Sequence, residues 1–158
     1  MHKLQLISLY ASLFILANIM VATFGPVITP INALVLISAD IVIRDKLQYK
    51  YGFLTSILAC FIAGAMTVVI QSGAGMIAVA SMLSVVLSGV ASAVSFKLKS
   101  GSFFQKAIPA SVVAALVDSI AFPLIAFGSI MPWVTIGQFA AKTIGAMTIL
   151  YIMKRLSK

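Results

Sequence analysis

Two neighbouring stretches decide the fold: AIPASVVAALVDSIAFPLIAFG (107–128) and, three residues later, PWVTIGQFAAKTIGAMTILYIM (132–153). An α-helix rises about 1.5 Å per residue, so about 20 mostly apolar residues cross a hydrocarbon layer about 30 Å thick. Both stretches are long enough, and each carries one ionisable side chain near its middle, Asp118 in the first and Lys142 in the second. A charge at that depth costs from about 3 to over 10 kcal/mol in lipid, so it is expected to face the bundle interior with a partner. The short link Ser129–Met131 makes the two helices an antiparallel hairpin, with Asp118 and Lys142 about equally far from the turn. They are therefore placed to meet.

Working outward, four more apolar runs precede the hairpin, giving 4–24, 28–44, 52–70, 75–96, 107–128 and 132–153 in all. Turn residues or charges separate them: Gly25-Pro26 to Pro30, Arg44 to Lys50, Gln71 to Gly75, and Lys97 to Lys106. Lipid leaves a spanning chain only helices or a closed barrel, and runs of this length select helices. The expectation is one all-α, polytopic domain over 1–158 with six transmembrane helices. Composition agrees. Of 158 residues, 62% are hydrophobic and 9% charged, and the mean hydropathy is +1.17, whereas a soluble domain is about 25% charged. The first run follows His2 and Lys3 as a signal peptide would, but it extends to Phe24 without a small-residue cleavage site and reads as a membrane helix.

The net charge is +8. In a six-span arrangement Lys3, Arg44, Lys46, Lys50, Lys97, Lys99, Lys106, Lys154, Arg155 and Lys158 all fall on one side, which leaves only Lys142 of the 11 bases. Cytoplasmic loops accumulate Lys and Arg, so both termini are expected in the cytoplasm, with the bases against anionic lipid head groups rather than nucleic acid. Tyr49, Tyr51, Tyr151 and Trp133 fit interfacial anchors. Cys60, the single cysteine, lies in an apolar run and reads as a small packing residue. Small residues recur every four positions at Ala80, Ser84, Ser88, Ser92; at Ser111, Ala115, Ser119; and at Gly137, Ala141, Gly145. Such ladders let helices approach closely, and they read as packing features.

The candidate site surrounds the two mid-membrane charges. Pro123 removes the hydrogen bond that the Ser119 carbonyl would accept, and Gln138 lies one turn from Lys142 on the same face. Phe122 lies one turn from Asp118 as a possible stacking surface. Asn18, in the first run, suits either substrate contact or helix-to-helix hydrogen bonding. Asp40 and Arg44 have the i to i+4 spacing of a helical ion pair, with a gate-like, folding or ligand-binding role open. Asp45 and Lys46 read as solvated loop charges. A purely structural role for the Asp118–Lys142 pair is the bland alternative. Motifs for metalloprotease, serine hydrolase, Walker-type and dinucleotide chemistry are missing and the one histidine is His2, so neither an enzyme nor a cofactor is expected.

The segments Ala39-Asp40-Ile41-Val42-Ile43-Arg44-Asp45, Val117-Asp118-Ser119-Ile120-Ala121-Phe122-Pro123 on to Phe127, and Gln138-Phe139-Ala140-Ala141-Lys142, with Ala17-Asn18 upstream, resemble the queuosine precursor transporter family, also called the vitamin uptake transporter family. The resemblance spans the first, second, fifth and sixth runs in order; the third and fourth match only in hydrophobic character. It implies a fold similar to the substrate-binding subunits of energy-coupling-factor transporters, residence in the bacterial cytoplasmic membrane, and uptake of 7-cyano-7-deazaguanine or a related 7-deazapurine. On that implication Asp118 would accept the base's ring N–H and exocyclic amine, Gln138 or Asn18 would read its carbonyl or nitrile, Phe122 would stack, and Lys142 would hold the carboxylate ionised. Two other readings remain open. One is a vitamin-binding membrane subunit that needs an ATP-driven partner; the other is a membrane structural protein whose buried charges only fix packing.

Overall fold

A computed structural model describes residues 2–24, 28–70 and 76–156. The expected breaks at Gly25-Pro26 and Gln71 to Gly75, and the terminal base Lys158, lie outside the described residues. Helices occupy nearly all the rest, and no strand occurs among the described residues. They are α1 (Lys3–Phe24), α2 (Thr29–Asn32), a π-helical turn (Ala33–Ile37), α3 (Ser38–Tyr51), α4 (Phe53–Ile70), α5 (Met76–Leu98), α6 (Phe103–Phe127) and α7 (Pro132–Leu156). Backbone angles stay helical at both junctions of the π turn, so α2, the π turn and α3 form one continuous rod.

Helices Lys3–Val21, Val79–Leu98, Phe103–Phe127 and Pro132–Leu156 are long and apolar enough to cross a membrane, and Phe53–Val69 is apolar but shorter. The composite rod misses that standard for a physical reason: it carries Asp40, Arg44, Asp45, Lys46 and Lys50 within α3. The protein is thus an all-helical membrane protein by fold. Its burial pattern fits a lipid solvent. Leu16, Phe61, Leu87, Leu116 and Ile144 are exposed, while Asn32, Asp40, Arg44, Asp45, Ser92, Ser111 and Lys142 are buried. Polar groups inside and apolar groups outside invert the water-soluble pattern, as expected where the surroundings are hydrocarbon.

Local chemistry sets the turns. Gly52, with φ of 87°, separates α3 from α4, and Gly128, with φ of 69°, ends α6 in the left-handed conformation that glycine adopts without a Cβ penalty. Ser102 and Gln105 form a capping box at the start of α6. Pro109 and Pro123 both lie inside α6, which nevertheless runs without a break.

The small-residue ladders fare differently. Ala80, Ser84, Ser88 and Ser92 of α5 and Ser111, Ala115 and Ser119 of α6 are all at most 1% exposed, and α5–α6 is the most extensive helix pairing in the molecule. The ladder on α7 holds at one end only. A Cβ at Gly145 would collide with the Leu34 carbonyl and the Ser38 hydroxyl, whereas Gly137 is exposed and faces open space.

The basic residues gather at one end of the bundle. Lys3 at the start of α1 lies 5.9 Å from the Tyr51 ring centre, and Lys106 lies 5.7 Å from that of Phe96. Tyr49 stacks edge-on against Phe96 and Phe103. Lys46, Tyr49, Lys50 and Phe103 share a surface groove with Met153 and Leu156 from the end of α7.

Two boundary readings are corrected here. The helix expected to stop at Arg44 continues to Tyr51. Asp45 is not a solvated loop charge: it is fully buried and accepts hydrogen bonds from Ser92 (2.8 Å) and Ser111 (3.0 Å). Two ladder serines therefore serve as donors to a buried carboxylate as well as allowing close packing. Lys46 is half-buried.

Candidate functional site

Asp118 and Lys142 face each other across the α6–α7 hairpin, with Nζ 2.7 Å from Oδ2. Equal distance from the connecting turn brings them level, and an ammonium removed from water needs such a counter-charge. Lys142 is 3% exposed and also donates to Gln138 Oε1 (3.0 Å) and Ser119 Oγ (3.4 Å). Three acceptors match the three N–H bonds of an ammonium, so this side chain is saturated by protein. Asp118, at 14% exposed, keeps part of its carboxylate open.

That open side faces a cavity of about 60 Å³. At roughly 10–15 Å³ per water-sized probe, this is room for a handful of waters. Asp118, Lys142, Gln138, Asn18, Phe122, Asp40 and Arg44 all line it, so the seven candidate residues from four separate helices meet around one space. Phe122 is half-buried and meets Phe127 edge-on, with ring centres 6.2 Å apart. Asn18 is 8% exposed, and its amide donates to the Phe14 carbonyl of its own helix (2.9 Å) rather than across to another.

Asp40 and Arg44 differ from expectation. Among the described residues the ion pair within 4.0 Å is Lys142–Asp118, and the i to i+4 contact between Asp40 and Arg44 is not made. Arg44 Nη1 instead donates to Ser88 (3.1 Å) and toward the Val85 carbonyl on α5. Burial explains the exchange. With 1% of Arg44 exposed, snorkelling to head groups is impossible, and α5 offers neutral acceptors where the sequence suggested only Asp40. Asp40 Oδ1, Arg44 Nε and Arg44 Nη2 are buried without a hydrogen-bond partner.

Sequence reasoning passed over two features of the site. Asn32 is 5% exposed, lines the cavity, and donates to the Ala17 carbonyl (2.9 Å), while its Oδ1 has no partner. An amide two residues after Pro30 within an apolar run was the available signal. The second feature is the π turn. Ser38 sits just past it, its hydroxyl 2.8 Å from the Ala33 carbonyl and 3.0 Å from that of Lys142, sharing one proton between them. This ties the α7 backbone at Lys142 to the composite rod, next to the close approach at Gly145. π turns within α-helices recur at functional sites, since the extra residue re-aims the side chains that follow.

No protein-family model, no curated protein and no solved structure matches this chain.

Proposed function

We propose that this chain is a six-span transporter of the cytoplasmic membrane, with both termini inside, that takes up a queuosine precursor: 7-cyano-7-deazaguanine or a related 7-deazapurine. The observation that carries the proposal is the cavity. Two carboxylates, two cations and three carboxamides line it within an otherwise apolar, lipid-facing bundle. Intramembrane ionisable groups around a shared space mark substrate or ion pathways, because a helix-locking role needs only pairs closed on each other. A deazaguanine offers the matching chemistry. Its exocyclic amine and ring N–H donate to carboxylates such as Asp118 or Asp40, its carbonyl accepts, and its flat face suits Phe122. The composite rod counts as a span because its charged face is turned to the other helices. The basic end carrying Lys3, Lys46, Lys50 and Lys106 is the cytoplasmic one.

The test is uptake of labelled 7-cyano-7-deazaguanine by vesicles containing the purified protein and no ATPase, with and without a proton gradient. Saturable uptake is expected, and Asp118→Asn and Lys142→Ala variants that insert normally should lose it. Wild-type rates in both variants would put the site elsewhere. Binding without uptake would indicate a subunit that needs an ATP-driven partner. If no deazapurine raises the protein's thermal stability, as any ligand selective for the native state must, the buried charges serve packing alone.

A further inference from the structure

Besides the Thr135 and Thr143 hydroxyls of α7, the buried side-chain polar atoms that lack partners among the described residues are four on the composite rod. They are Asn32 Oδ1, Asp40 Oδ1, Arg44 Nε and Arg44 Nη2, and all three residues line the cavity. Buried polar atoms are normally hydrogen-bonded, so each orphan wants an explanation. Arg44 is the informative one. Its Nη1 is held by Ser88, which leaves the Nε–H and Nη2–H side of the planar fork free, the side that forms bidentate contacts. Asp40 is one helical turn away on the same face and is 2% exposed. Two free donors therefore stand beside a free acceptor.

From this arrangement we infer that Asp40 and Arg44 form an amide-edge reader: Arg44 takes a ligand carbonyl oxygen and Asp40 takes the adjacent ring N–H. The inference rests on the transport reading above and goes beyond it, because it assigns the substrate's lactam edge to α3 and leaves Asp118, already engaged by Lys142, the exocyclic amine. A carbonyl oxygen has two lone pairs and can accept from both free N–H groups of the fork. Charge selects a neutral ligand. The cavity lining contributes Asp40 and Asp118 against Arg44 and Lys142, so its formal charges balance. An anionic ligand would upset that balance. A neutral lactam meets donors and acceptors without adding charge.

The experiment compares two probes on the purified full chain in lipid nanodiscs: 7-cyano-7-deazaguanine, and its 6-amino analogue, in which the carbonyl becomes a donor and the neighbouring ring nitrogen an acceptor. The wild-type protein should bind the lactam at least about tenfold more tightly, the discrimination expected of a good bidentate arginine contact. Arg44→Lys keeps the charge but loses the fork and should erase that preference; Asp40→Asn should weaken lactam binding. Equal wild-type affinity for both probes overturns the inference while leaving the transporter reading intact, and this arm needs no variant to fold. A folded Arg44→Lys protein that keeps the preference overturns it as well. Wild-type protein that binds neither probe overturns the transport reading and the edge assignment together.

Discussion

Replacing Lys142 by methionine tests whether the hairpin charges act as one unit. The substitution keeps the length and most of the volume of the side chain and removes the ammonium that Asp118 (2.7 Å), Gln138 (3.0 Å) and Ser119 (3.4 Å) share. Breaking a buried ion pair from one side costs about 3–5 kcal/mol, because the remaining charge is left uncompensated. Asp118 retains 14% exposure toward the cavity, so water relieves part of that penalty and the low end, about 3 kcal/mol, applies. For a chain of this size each kcal/mol moves the midpoint by roughly 2–4 °C, so Lys142→Met should melt about 6–12 °C below the wild type. Asp118→Asn leaves the more deeply buried ammonium, 3% exposed, with only the neutral acceptors Gln138 and Ser119, and should cost about 3–5 kcal/mol. The double variant removes both charges and should be less destabilised than the sum of the singles by at least about 1 kcal/mol. The assay is thermal unfolding in detergent, followed by the fluorescence of Trp133, the single tryptophan. Strictly additive losses, or a Lys142→Met midpoint unchanged from the wild type, would refute the coupled-pair reasoning.

The α7 ladder supplies an internal control: Gly145→Ala forces a Cβ into the Leu34 carbonyl and Ser38 and should destabilise by about 1–3 kcal/mol, whereas Gly137→Ala, which meets nothing, should stabilise by up to about 1 kcal/mol through helix propensity. Both are read as shifts in thermal midpoint. Asp45→Ala strands the Ser92 and Ser111 hydroxyls and removes a counter-charge near Arg44, so it should lower stability by about 3–5 kcal/mol, more than Ser92→Ala at about 1.5–3 kcal/mol. Equal losses from the two would mean that the Asp45 charge is not what the serines are there to hold.

Much of this molecule is written in one-dimensional pattern. Apolar runs of spanning length predict the helices, and the symmetric placement of Asp118 and Lys142 about a three-residue link predicts their contact. Gln138 joins them because residues one turn apart share a helix face. These readings succeed because they depend on local geometry and on the expense of charge in lipid. The hydrophobic pattern fails over 45–51, where a charged stretch reads as the end of a helix and a loop. There the helix continues, since α5 and α6 present serines to Asp45 and Arg44.

Those partners are remote in sequence. Asp45 and Ser111 are separated by 66 positions, and Arg44 and Ser88 by 44. No periodicity encodes such contacts. The ladder serines carry both meanings at once, small enough for close packing and polar enough to hold a charge, and the sequence shows only the first. The same holds for the orphaned atoms of Asn32, Asp40 and Arg44, whose lack of partners is a property of their surroundings. By itself, then, the sequence determined an all-helical membrane protein with a pair of opposed charges at mid-depth. Only the tertiary structure decided that Arg44 turns to α5 and away from Asp40, that Asp45 is buried, and that the seven candidate residues from four helices line one cavity. The reason is that local free energies set helices and depth, while the pairing of buried polar groups is settled between elements once the bundle closes and water is gone.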